Sequence, residues 1–152
     1  MSRPQKNTLQ DLLRELRPPY ADQDHLTSIL DTLGMYFERP WRESTSAEIV
    51  EEAFRPILGE YLRLSDEARE ELLACLCHLF DPYSDDKPNL DLAVIKDNLQ
   101  ILAPSALVCA ISLIANERAP DAQTRIRPFL DHGKDFVREA AQEELEEMAL
   151  KP

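Results

Sequence analysis

Cys75-x-Cys77-His78 carries the residue types that ligate zinc, a metal held by thiolates and imidazoles in tetrahedral sets. On a helix, however, positions i and i+2 point to different sides, and no second ligand pair stands at zinc spacing. Buried thiols are the better reading. Asp81, Asp85, Asp86, Asn89 and Asp91 bring oxygen ligands close together, yet they miss the spacing and the glycine of a calcium loop. That stretch reads as a solvated turn in which Asn89 or Asp91 caps a helix. His25 and His132 each stand alone, without a serine or cysteine at the spacing of a catalytic triad. Walker loops, dinucleotide fingerprints and paired zinc-ligand motifs are also missing. The expectation is therefore a chain with no catalytic, cofactor-binding or metal-ligating residues.

Carboxylates are the chemistry that remains. The 152 residues carry 29 acidic and 17 basic side chains, a formal net charge of −12. Such a field repels phosphates and attracts basic proteins, so nucleic acid is the disfavoured partner. Residues 45–80 hold eight acidic and three basic residues, the strongest imbalance in the chain. Glu48, Glu51 and Glu52 fall at i, i+3 and i+4, share one helix face and repel one another, with Arg55 relieving part of the repulsion. Glu143, Glu144, Glu146 and Glu147 crowd the C-terminal half of the last helix, where the macrodipole prefers cations. Each group is either a solubilising face or a patch shaped for a basic partner. Asp66, Glu67, Glu70 and Glu71 lie mostly in an early helical turn, where dipole and capping account for them.

These side chains need elements to position them, and the periodicity is helical throughout. Three glycines and few β-branched runs argue against a sheet. Thr8–Leu16 and Asp22–Leu33 form a first pair, capped by Thr8 and Asp22 and stopped at Gly34. A second pair opens at Thr45, which has capping-box spacing to Glu48, and continues after Ser65. Pro56 inside its first helix is expected to kink or end it. The third pair is Asp91–Leu102 and Pro104–Asn116; the fourth is Pro120–Asp131 and Asp135–Ala149, with Asp135 as cap. Residues 103–116 hold no charge, which predicts a helix enclosed on most sides. Tyr36, Trp41 and Tyr83 sit in or beside the longer connections, where each serves as a loop pin or as an anchor for a partner.

Arg127-Pro128-Phe129-Leu130, followed by Phe136-Val137-Arg138-Glu139-Ala140-Ala141, resembles the HEAT-repeat pattern: a leucine closes one helix, a polar turn follows, and Val-Arg-x-Ala-Ala opens the next. The resemblance covers about 30 residues well, 47–80 weakly through Arg55-Pro56-Ile57-Leu58, and the rest only in architecture. It implies an all-α domain over residues 1–152, a compact curved stack of about four helical hairpins. Repeated hairpins bury their apolar faces against one another and leave a broad side for macromolecules. The family includes scaffolds, inhibitors and adaptors, and in a few cases lyases or nucleic-acid binders.

The function expected is non-catalytic protein binding, in its most concrete form an acidic immunity-type inhibitor that neutralises a basic toxin or effector. The alternatives are an adaptor or chaperone without inhibitory role and, third, a lyase- or hydrolase-like enzyme. Candidate contacts are Glu48, Glu51, Glu52, Glu143, Glu146 and Glu147, with Tyr36, Trp41 and Tyr83 as anchors. No apolar run is long enough to span a bilayer, residues 1–20 lack the apolar core of a secretory signal, and three cysteines in apolar segments suit reduced thiols. The expected chain is cytoplasmic, monomeric or weakly homodimeric, and binds neither membrane nor nucleic acid.

Overall fold

A computed structural model describes residues 8–43, 45–83 and 87–150. Helix α1, Leu9–Glu15, starts where the Thr8 hydroxyl accepts the Asp11 amide at 3.3 Å, and it buries Leu9, Leu12 and Leu13. In α2, Gln23–Phe37, the Asp22 carboxylate accepts the His25 amide at 3.0 Å. This helix does not stop at Gly34. It runs on to bury Phe37, whose ring meets Trp41 edge-on at 5.7 Å and Phe54 at 5.9 Å. Packing of that aromatic group outweighs the weak helix propensity of one glycine.

Helix α3, Ala47–Gly59, is capped by Ser46, whose hydroxyl accepts the Ile49 amide at 3.3 Å. Thr45, the expected cap, is instead buried and donates its amide to the Trp41 carbonyl at 3.2 Å, because the 3-10 turn Trp41–Glu43 draws it inward. Pro56 lies within α3, which ends three residues later and gives way to the 3-10 turn Tyr61–Arg63. Helix α4, Asp66–Leu79, has Ser65 as cap, and the Ser65 amide donates to the Gln23 side chain at 2.8 Å.

The expected helix over Asp91–Leu102 is broken into α5, Ala93–Lys96, and the 3-10 turn Leu99–Ile101. Asn98 is the cause. Its side-chain amide donates to the Val94 carbonyl at 2.7 Å and takes the acceptor that a continuing helix would use. Asp91, one residue before the N-cap Leu92, accepts the Ala93 amide at 2.9 Å in the turn that leads into α5. Helix α6, Pro104–Glu117, places Pro104 in its first turn, and α7, Ala122–Ile126, passes into the 3-10 turn Arg127–Asp131. Helix α8 spans Asp135–Leu150. Asp135 does not cap it: its carboxylate pairs with Arg138, while His132 Nδ1 accepts the Lys134 amide at 3.0 Å.

All the described residues are helical or irregular, with no strand among them. Helices α2, α4, α6 and α8 pack side by side in chain order, and α1, α3, α5 and α7 lie along this row. The four pairs form one compact all-α bundle around a contiguous apolar core. Helix α6, uncharged up to Asn116, is enclosed between α4 and α8, burying Leu107, Ala110, Ile111, Leu113 and Ile114. A half-buried ion pair, Lys96 to Glu117 at 2.9 Å, ties α5 to α6.

Candidate functional site

The two acidic clusters read from the sequence do not meet. Helix α3 packs on α1 and on the turn that follows it, whereas α8 packs on α6, α7 and the turn between. Within α3 the three glutamates also separate in role. Glu48 and Glu52 are exposed. Glu51 is drawn down, its side chain 12% exposed, and accepts the Asn89 amide at 2.8 Å. Arg55 stands 3.8 Å from the same carboxylate and donates to the Asn89 carbonyl at 3.2 Å. Glu51 and Arg55 therefore clamp the segment leading to α5. On α8, Glu143, Glu146 and Glu147 are exposed, with Glu146 accepting from Gln142 at 3.1 Å.

The aromatic candidates also differ. Trp41 is buried at 6% exposure, packed on Phe37 and covered by the Arg42 guanidinium 4.5 Å above its ring, so it pins its own loop. Tyr36 is half-buried against the core. Tyr83 is 80% exposed, its amide donating to Asp81 at 2.9 Å. It alone among the three presents most of its ring to solvent.

The metal readings end here too. The Cys75 thiol donates to the Leu30 carbonyl at 2.8 Å, the Cys77 thiol to the Cys109 carbonyl at 3.1 Å, and His78 faces Glu38 at 3.5 Å. The three point to three places. Asp85 and Asp86 lie outside the described residues. Among the described residues no group of three His, Cys, Asp or Glu side chains could hold a metal ion.

Glu70 and Glu71, set aside in the sequence as helix-start acids, come within electrostatic reach of α2 and α6 in the fold. Glu71 on α4 has its carboxyl raised above the ordinary 4.5 by burial, then by Asp31 on α2 and by Glu70. The Cys109 thiol on α6 is raised by burial and next by Glu70 and Glu71. Cys77 is pushed up to about 12 by burial, by Cys109 and by Glu144 on α8. Glu144 itself is raised by burial, against the Ser112 hydroxyl that donates to it at 3.2 Å, and further by Glu147 and Glu143.

These mutual influences run across the whole row, from α2 through α4 and α6 to α8. Its middle is α6, where Cys109 and Ser112 are small, partly exposed and uncharged. Acidic groups on α4 and α8 stand on either side. Among the described residues, Glu70, Glu71, Glu143, Glu144 and Glu147 have no cationic partner. Of these, Glu70, Glu71 and Glu144 are partly buried and Glu143 and Glu147 exposed; a partly buried carboxylate without a counter-ion is stabilised by an arriving cation. Glu70 and Glu71 escaped the sequence reading because their meaning depends on which helix lies beside α4. The available signal was their place in the second turn after Ser65, beyond the reach of the cap.

No helix among the described residues is long and apolar enough to cross a membrane. Comparison with protein-family models, with curated proteins and with solved structures gave no match to this chain.

Proposed function

We propose that this chain is a non-catalytic, HEAT-like scaffold that binds a basic protein across the α4–α6–α8 face. The observation that carries the reading is the set of partly desolvated glutamates, Glu70, Glu71 and Glu144, contributed by neighbouring helices and unmatched by cations. Cys109 and Ser112, small and partly exposed, lie on α6 between the helices that carry those carboxylates. The exposed glutamates of α3 and α8 add long-range attraction, which speeds encounter more than it adds affinity.

In its most concrete form the protein is an immunity-type inhibitor whose monomer caps a basic toxin or effector in the cytoplasm. Free thiols at Cys75, Cys77 and Cys109 fit a reducing compartment. The test uses the full chain and a Glu70→Gln, Glu71→Gln, Glu144→Gln variant as baits in extract of the native host. A basic protein retained by the unmodified chain, released by salt and lost from the triple variant is the expected result. Equal retention by both baits overturns the assignment of this face. Adding the chain back to the captured partner then separates inhibition, where the partner's activity falls, from scaffolding, where it does not.

A further inference from the structure

A cavity of about 450 Å³ opens where the end of α6, helix α7 and the end of α8 converge. Volumes of this order belong to small-molecule sites. Four ionised side chains line it, Arg118 and Arg127 of one sign and Glu144 and Glu147 of the other. The two signs do not pair with each other. Arg118 donates to the Pro82 carbonyl at 2.7 Å, Arg127 reaches only the Gln123 side chain at 3.4 Å, and Glu144 accepts from Ser112. Ala119, Pro120 and Met148 supply apolar wall, and Asn116 and Thr124 supply uncharged polar groups.

We propose that this cavity binds a zwitterion of dipeptide size, its ammonium toward Glu144 and Glu147 and its carboxylate toward Arg127. A simple cation would meet the glutamates but also the arginines, and a simple anion would meet the reverse. Only a ligand carrying both charges satisfies both walls at once, through charge-assisted hydrogen bonds. The opposed groups sit on different elements, the glutamates on α8 and Arg127 on the turn after α7. A cavity of this volume has room for more than a free amino acid, and a peptide bond lets the two charges of the ligand stand apart. Arg118 holds its end of the cavity in shape: it closes α6 in the left-handed region at φ 59° while its guanidinium anchors Pro82.

The full chain is titrated with the dipeptide Ala-Leu, with N-acetyl-Ala-Leu and with Ala-Leu amide, following backbone amides by NMR. The dipeptide is expected to shift Ala119, Thr124 and Met148, and each capped form to bind at least about tenfold more weakly. Arg127→Gln should make the dipeptide and its amide bind alike, and Glu144→Gln with Glu147→Gln should do the same for the dipeptide and its acetylated form. Equal binding of all three ligands to the unmodified chain overturns the proposal, as does absence of shifts at about 10 mM dipeptide, far above useful affinity. Glu70→Gln with Glu71→Gln, which spares the cavity residue Glu144, should weaken partner capture and leave this titration unchanged, so the two outcomes are separable by that double variant.

Discussion

The glutamates of α3 and those of the α4–α6–α8 face are equally dense in the sequence, yet the fold treats them in opposite ways. On α3 the one glutamate that turns inward meets Arg55 and the Asn89 amide, and the other two point to water. On α4 and α8, Glu70, Glu71 and Glu144 are partly withdrawn from water and act on the thiols of Cys109 and Cys77. The first cluster is satisfied within the chain. The second has no cationic partner among the described residues. Charge density alone therefore does not distinguish a clamp from a binding face; desolvation without a counter-charge does.

The sharpest way to break this comparison is at Glu51. Glu51→Ala removes a charged acceptor from the Asn89 amide and should cost about 1.5 kcal/mol, whereas Glu48→Ala and Glu52→Ala should each stay within about 0.5 kcal/mol. Urea unfolding of the three variants checks this, and equal losses would erase the distinction within α3. Next in size is association with the basic partner. Replacing Glu70, Glu71 and Glu144 by glutamine should slow it about tenfold at low ionic strength, and Glu48→Gln with Glu52→Gln less than about threefold. Stopped-flow rates at rising salt should converge as the charges are screened.

Smaller still is a change in the pH dependence of stability. The folded-state carboxyls of Glu71 and Glu144 are raised above 4.5, so the folded chain holds their protons more tightly than the unfolded chain does. Their contribution thus favours folding below the ordinary carboxylate value and is lost as pH rises through the raised values. Glu71→Gln and Glu144→Gln should each stabilise the fold at pH 7 by a few tenths of a kcal/mol after screening, with the gain shrinking toward pH 4.5. Denaturant midpoints across that window report it. Least of all is the effect on Cys109, whose thiol is raised partly by Glu70 and Glu71. Neutralising both should lower its pKa and speed alkylation about twofold, read by mass spectrometry under iodoacetamide.

Much of the frame was legible beforehand. Thr8, Asp22 and Ser65 cap the helices that their spacing predicts, Pro104 opens α6, and the uncharged stretch after it is the enclosed helix. What escaped was decided by tertiary partners. Gly34 continues a helix because Phe37 has an aromatic cluster to join, Thr45 yields its cap to Ser46 because Trp41 pulls it inward, and Asn98 halts a helix with its own side chain. The two Arg-Pro-x-Leu segments look alike, yet Pro56 lies inside an α-helix and Pro128 in a 3-10 turn. The proposed binding face was hidden for the same reason. Glu70, Cys109 and Glu144 are far apart in the chain and gain a common meaning only when α4, α6 and α8 lie side by side.

That row has a consequence for how the chain is made. Because α2, α4, α6 and α8 neighbour one another in the order in which they are synthesised, each helix emerges beside a surface already formed. Contacts local in sequence close with little loop entropy, so folding should be rapid and can proceed from the N-terminal pairs while the rest is still being translated. Stability should also be graded along the row, with the two end pairs opening before the middle ones because each has a neighbour on one side only. The glutamates of α8 then belong to a readily exchanging segment, and a ligand that bridges α7 and α8 slows its opening.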